Sequence, residues 1–199
     1  MEMETLKTPI RAFIDVETSG LDYTKHAVYQ VACIVVDETG KELGTWSKLF
    51  IPPAGTEFSA GAVEINGYDL ERIKAETTLD YGQAHAEFTE FLSQFVNRYD
   101  KTDKLNFVAY NAPFDSEFVR SWFSSAGDNF FGAYFWNPAM CVMQKAAWAF
   151  PEARPKFPNF KLGTLCKLTG LGWEDDEGHD ALYDIRKTIE LSNFIDATF

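Results

Sequence analysis

The hydrophobic and polar positions divide the first half of the chain into three extended runs. Apolar residues lead from Ala12 to Ile14 into Asp15-Val16-Glu17, and Thr18-Ser19-Gly20 stops them. That pattern predicts a short, mostly buried strand ending in a turn. Residues 28–36 are β-branched and nearly continuously apolar, which predicts a second strand. Asp37-Glu38-Thr39-Gly40 is a tight turn, and residues 41–50 return as a third strand with Leu43, Trp46 and Leu49 among polar residues. The second and third runs therefore read as an antiparallel hairpin, ended by Pro52-Pro53, which cannot continue a ladder.

Helical periodicity follows. Residues 58–67 are less regular and predict a short helix and a loop, and residues 69–75 a further short helix. Asp80 caps a longer helix over 81–99, with Ala84, Phe88, Phe91, Leu92 and Phe95 on one stripe. Residues 105–110 are the next strand and 111–114 a turn, after which Asp115 opens a helix that stops near Gly127. A short fifth strand interrupted by Pro138 is expected within 133–141, a helix over 142–150, a proline-rich loop over 151–160 and a helix over 162–169. An acidic loop at 174–177 precedes a last helix over 180–194. Antiparallel strands first and strand–helix units afterwards predict an α/β fold with a mixed sheet.

With 199 residues, 46% of them hydrophobic, the chain can bury one sizeable core. The expected organisation is a short tail over 1–10 and a single domain over 11–199. Met1 to Lys7 is acidic with no apolar run behind it, so neither a signal peptide nor a membrane span is expected. Cys33, Cys141 and Cys166 are scattered in apolar surroundings, which suits buried free thiols in a reducing cytoplasm and indicates no disulfide or zinc framework. The net charge of −12 argues against a broad basic surface that wraps a duplex, though not against gripping a few nucleotides with bound cations. Eighteen Phe residues supply core, and a few rings could serve as stacking platforms.

Candidate chemistry begins at Asp15 and Glu17. Two positions apart on a strand, they point to the same side, and each raises the other's pKa unless a cation sits between them. A hard divalent metal, which prefers oxygen ligands, is the natural partner. Asp115 reads first as an N-cap, a role compatible with a ligand site at a strand's C-terminal end. His179 is placed just outside the last helix and Asp184 inside its second turn, beside a buried face of Ala181, Leu182, Ile185 and Ile189. His85, inside the long helix, reads as a solvated or core-edge histidine.

Together these residues resemble the DEDD exonucleases, in the subgroup with a histidine in the last motif. The first motif is Phe13-Ile14-Asp15-Val16-Glu17-Thr18-Ser19-Gly20-Leu21, and the second Ala109-Tyr110-Asn111-Ala112-Pro113-Phe114-Asp115. The third is His179-Asp180-Ala181-Leu182-Tyr183-Asp184, and Ile65-Asn66-Gly67 looks like the base-contacting segment. The resemblance covers residues 11–196. It implies a ribonuclease H-like fold, a five-stranded mixed sheet flanked by helices, and hydrolysis from the 3′ end that releases nucleoside 5′-monophosphates. It also implies two Mg²⁺ ions, with Mn²⁺ as substitute, about 4 Å apart. Asp15, Glu17, Asp115 and Asp184 would hold them, and His179 would take the proton from the attacking water. Thr18, Gly20, Leu21, Ile65, Asn66, Asn111 and Phe114 are the substrate contacts the resemblance carries over, with Leu21 and Ile65 against the terminal bases.

The acidic stretch at 174–177 departs from relatives that carry basic residues there, which favours single strands or short ends over a duplex. The chain runs about fifteen residues past Asp184, so a free-standing nuclease is expected rather than a stable polymerase subunit. DNA is the expected substrate, because residues 140–143 and the proline-rich loop look like those of exonuclease X. The Asp184-Ile185-Arg186 continuation looks like that of oligoribonuclease, so an exoribonuclease is the alternative. A third reading is a nucleic-acid-binding relative without catalysis.

Overall fold

The computed structural model describes residues 10–152, 154–174 and 180–198. Five strands form one sheet in the order β3-β2-β1-β4-β5. β1 (Arg11–Thr18), β2 (Val28–Val36) and β3 (Glu42–Leu49) are an antiparallel meander, while β4 (Asn106–Ala109) and β5 (Met140–Cys141) run parallel to β1. The expected mixed sheet flanked by helices is what the chain forms, with β1 at its centre.

The sheet is covered on both faces, which is why β2 reads as an almost unbroken apolar run. Ala12, Ile14 and Val16 of β1 belong to one core with Phe88 and Leu92 of α3 (Tyr81–Leu92) and Phe118 and Trp122 of α4 (Ala112–Ser125). Phe13 belongs to the other, with Val142 and Ala146 of α6 (Val142–Ala149), Leu165 of α7 (Leu162–Thr169), and Ala181 and Ile185 of α8 (Ala181–Thr198). Asp15 and Glu17 share Phe13's parity, so the strand carries both carboxylates on the α8 face. Trp122 anchors the opposite core: its ring stacks on Phe50 at 4.8 Å and its Nε1 donates to Tyr81 O at 3.0 Å. That indole is fully buried with its N–H satisfied, as a core tryptophan must be.

Three small helices complete the chain: α1 (Ala60–Asn66), α2 (Leu70–Glu76) and α5 (Phe131–Tyr134). Several expected boundaries need correction. The helix expected over 81–99 ends at Leu92, because Gln94 and Phe95 donate to Phe91 O and Leu92 O and tighten the chain into turns. Asn97 and Asp103 then hold those turns, with Asn97 N donating to Asp103 Oδ2 at 3.0 Å. Phe95 still packs on Phe91 at 5.2 Å, so the apolar stripe was correct where the helix was not. α4 starts at Ala112, with Asn111 in the cap position, not at Asp115. Pro113 is accommodated in that first turn because no helical acceptor is there for its missing N–H. The fifth strand shrinks to two residues, the loop at 151–160 holds a 3₁₀ turn at Arg154–Lys156, and α8 runs on to Thr198. Cys33 and Cys166 are buried free thiols, while Cys141 is half-buried. Among the described residues no helix is long and apolar enough to cross a membrane.

Candidate active site

The end of β1 is pinned before any site chemistry is considered. A register shift between Glu17 and Thr18 breaks the ladder with β2. Thr18 Oγ1 donates to Gly20 O at 2.7 Å, and Ser19 N donates to Ala27 O at 2.9 Å. Gly20 sits under the His26 imidazole: a Cβ there would lie 2.3 Å from His26 Cδ2, so no side chain fits. Leu21 follows and projects outward, 83% exposed.

The same turn holds α1. Ser59 N donates to Ser19 O at 2.8 Å, and Ser59 Oγ caps the helix by accepting from Ala62 N. Gly67 closes it in the left-handed conformation, φ +69°, which favours glycine. α1 buries none of its residues. It presents Ile65, 62% exposed, and Asn66, whose Nδ2 donates to Glu17 Oε2 at 3.1 Å. Asn66 Oδ1 and the Tyr29 hydroxyl are both buried and have no hydrogen-bond partner among the described residues. Tyr29, on β2 and flanked by Phe58 and Tyr68, is an addition that the sequence reading missed. Its apolar strand surroundings gave no hint that a hydroxyl would end up close enough to feel the charge of Glu17.

Four carboxylates come to this strand end from three segments. Glu17 is 8% exposed and Asp115 4%. Asp115 is not the α4 cap; it lies in the first turn, where its own and Val16's backbone N–H groups favour the charged form of its buried carboxyl. Asp184 lies in the first turn of α8, where Asp180 Oδ1 accepts from Tyr183 N at 2.9 Å. Burial raises the Asp15 carboxyl well above the usual range, and Asp115, Glu17, Asp184 and Asp180 each raise it further. Burial likewise pushes Asp115 up, with Glu17 adding to it. Glu17 is raised to about 7 by burial, opposed by the Asn66 hydrogen bond and reinforced by Asp184 and Asp180.

Charged carboxylates this close cannot all persist without protons or cations. The donors are all oxygen, which suits hard divalent ions. Among the described residues, no three such side chains are gathered tightly enough to hold a metal together as they stand. The four are thus in electrostatic range but not at liganding distance. His179 lies outside the described residues, as do the acidic positions 175–177.

The remaining expected residues divide. Asn111 is exposed at the head of α4, and Phe114 is half-buried against Phe118 at 4.8 Å, part of the core margin. His85 is not solvated: it is buried edge-on against Trp122 and Phe123, with Nε2 3.6 Å from Asp128 Oδ2.

Comparison with known proteins gives the site its context. Residues 12–192 match the family RNase_T, described as exonuclease. The chain is 28% identical to the 3′-5′ DNA exonuclease Cap18 of Escherichia coli over 184 residues, covering 92% of this chain and 89% of that one. It is 26% identical over 200 residues to ribonuclease T of Photobacterium profundum, covering 96% and 85%. Among solved structures, the zinc-bound E. coli ExoI–ssDNA complex aligns with a TM-score of 0.75 at 22% identity. That alignment covers 96% of this chain but 41% of the exonuclease I chain, and what it shows is a shared ribonuclease H-like fold.

Proposed function

The chain belongs to the RNase_T exonuclease family, and from that premise we propose that it is a metal-dependent 3′→5′ exonuclease acting on DNA. Single strands or short ends are its substrates and nucleoside 5′-monophosphates its products. The observation that carries this reading is the convergence of Asp15 and Glu17 of β1, Asp115 of α4 and Asp184 of α8 on one strand end, close enough for the other three to act on the Asp15 carboxyl. Asp15, Glu17, Asp115 and Asp184 would hold two Mg²⁺ ions, with Mn²⁺ as substitute. Such ions, when bound, neutralise the phosphodiester and acidify a water.

The chain's own groups do the rest. His179 takes the proton from the attacking water, a task that suits an imidazole at neutral pH. Asn66 fixes the Glu17 carboxylate through its amide N–H. Leu21 and Ile65, both exposed, cover the terminal nucleoside without reading its base. Thr18 holds the turn closed through its bond to Gly20 O, which leaves Gly20 backbone and Leu21 facing the 3′ nucleotide. Asn111, at the head of α4, and Phe114, at the core margin, flank Asp115 and complete the substrate contacts.

DNA is supported by the similarity to a DNA exonuclease, and RNA by a similarity of nearly equal identity to ribonuclease T. Telling them apart requires contacts to a 2′-hydroxyl. The test is a pair of 5′-labelled single strands of one sequence, DNA and RNA, incubated with Mg²⁺ or with chelator. A ladder that shortens from the 3′ end faster on DNA, and vanishes with chelator, is the expected result. A faster RNA ladder would reassign the substrate.

A further inference from the structure

α1 carries Ile65 and Asn66, yet it buries none of its own residues. A seven-residue helix without a buried face takes its position from what flanks it. Phe58 precedes its cap and Tyr68 follows Gly67, and both rings pack on Tyr29 of β2, at 5.9 and 5.7 Å. Tyr29 is fully buried. It is the extra residue where the β1–β2 register shifts, since Glu17 pairs with Gln30 and Thr18 with Val28. Its carbonyl accepts from Phe50 N at 2.8 Å, which fixes that bulge against the end of β3. On the outer side Arg72 lies over the Tyr68 ring at 4.0 Å, and its Nη1 donates to Gly67 O at 2.9 Å. The C-terminal flank of α1 is thus held from both sides.

The ring explains the seat of α1; it does not explain the hydroxyl, since phenylalanine would pack the same way. Among the described residues the Tyr29 hydroxyl and Asn66 Oδ1 are both buried without a hydrogen-bond partner, and buried polar atoms left unpaired are costly. The two atoms are complementary, because a phenol O–H donates and an amide oxygen accepts. Both groups lie beside one carboxylate. Asn66 Nδ2 donates to Glu17 Oε2 at 3.1 Å, while burial and then the nearby Glu17 charge keep the phenol protonated, and so a donor. An amide held only at its N–H can turn end for end and aim its oxygen at the carboxylate. A donor on Oδ1 prevents that turn.

Resting on the exonuclease reading, we propose that Tyr29 is a positioning residue for Glu17. Its ring seats both flanks of α1, and its O–H, through one bridging water, holds Asn66 Oδ1 so that the amide N–H stays on the carboxylate. Glu17 then offers a divalent ion one fixed orientation, and Ile65 is placed by the same seat.

The test uses Tyr29→Phe, which removes the hydroxyl and keeps the ring. It reads Mn²⁺ affinity of the substrate-free protein by calorimetry, beside kinetics on a short oligothymidylate. The variant should melt with wild type and bind Mn²⁺ about three- to tenfold more weakly, the scale of one lost hydrogen bond. Its half-maximal rate should need correspondingly more Mn²⁺, with KM for the strand unchanged at saturating Mn²⁺. Asn66→Ala should weaken Mn²⁺ binding in the same way, and adding Tyr29→Phe to it should cost nothing further, because Tyr29 acts through Asn66. Phe58→Leu/Tyr68→Leu, which removes the flanking rings and leaves the hydroxyl, should raise KM as well, since Ile65 moves with α1. Unchanged Mn²⁺ affinity in Tyr29→Phe, or losses that add in the Tyr29→Phe/Asn66→Ala protein, would overturn the positioning role. Failure of the wild-type protein to shorten the strand would instead overturn the exonuclease reading beneath it.

Discussion

At the scale of single residues, the active-site end of β1 depends on one missing side chain and one strained carboxylate. Gly20 has no room for a Cβ because the His26 ring lies against it. Gly20→Ala should lower stability by about 1–3 kcal/mol, the usual cost of overpacking, as read by urea unfolding. The same substitution in a His26→Ala background should cost much less; an equal cost in both would place the constraint elsewhere. Glu17 gives a signed pH dependence. Its folded-state carboxyl titrates at about 7 against an ordinary value of 4.5, so above pH 4.5 the folded chain holds a proton that the unfolded chain has released. Metal-free stability should therefore fall as pH rises from about 4.5 to about 7, by up to about 3 kcal/mol from this group. Glu17→Gln should flatten that fall, and Mg²⁺ should restore wild-type stability more at pH 8 than at pH 5.5. Thermal melts with and without chelator check both; a variant whose pH slope matches wild type would remove Glu17 as the source.

At the scale of elements, α1 links Ile65, proposed above to cover the terminal nucleoside, to the placement of the Glu17 carboxylate. It buries nothing, is tied at Ser59 to the β1 turn, and donates from Asn66 to Glu17. That hydrogen bond favours the charged carboxylate. Asn66→Ala should push Glu17 further up and move the Mg²⁺ midpoint for activity at pH 7 to higher concentration. An unmoved midpoint would make the bond incidental. The elements also show what could be read from sequence. β2 was legible to the residue, because a strand covered on both faces is apolar at nearly every step, here all but Gln30. Asp15 and Glu17 were legible as a pair, because strand parity alone puts them on one face. The end of α3 was not, since its apolar stripe continues through Phe95 in turns that bury the same face. Asp115 was misplaced by three residues, because Pro113 suggests a turn but also suits a helix start.

At the scale of the whole molecule, an acidic chain holds an acidic centre. Asp15, Glu17, Asp115 and Asp184 reach one strand end from β1, α4 and α8, and the two cores on opposite faces of the sheet fix those segments. The proposed reaction uses these carboxylates, with divalent ions, to break the bond at the 3′ end. It is tested most directly with single-stranded DNA labelled in its 3′-terminal nucleotide, incubated with wild-type and Asp15→Ala protein, each with Mg²⁺ and with chelator. The expected first product is labelled nucleoside 5′-monophosphate, from wild type with Mg²⁺ alone, while Asp15→Ala melts as a folded protein and releases none. Label released by Asp15→Ala at the wild-type rate, or appearing first in longer fragments, would contradict the account.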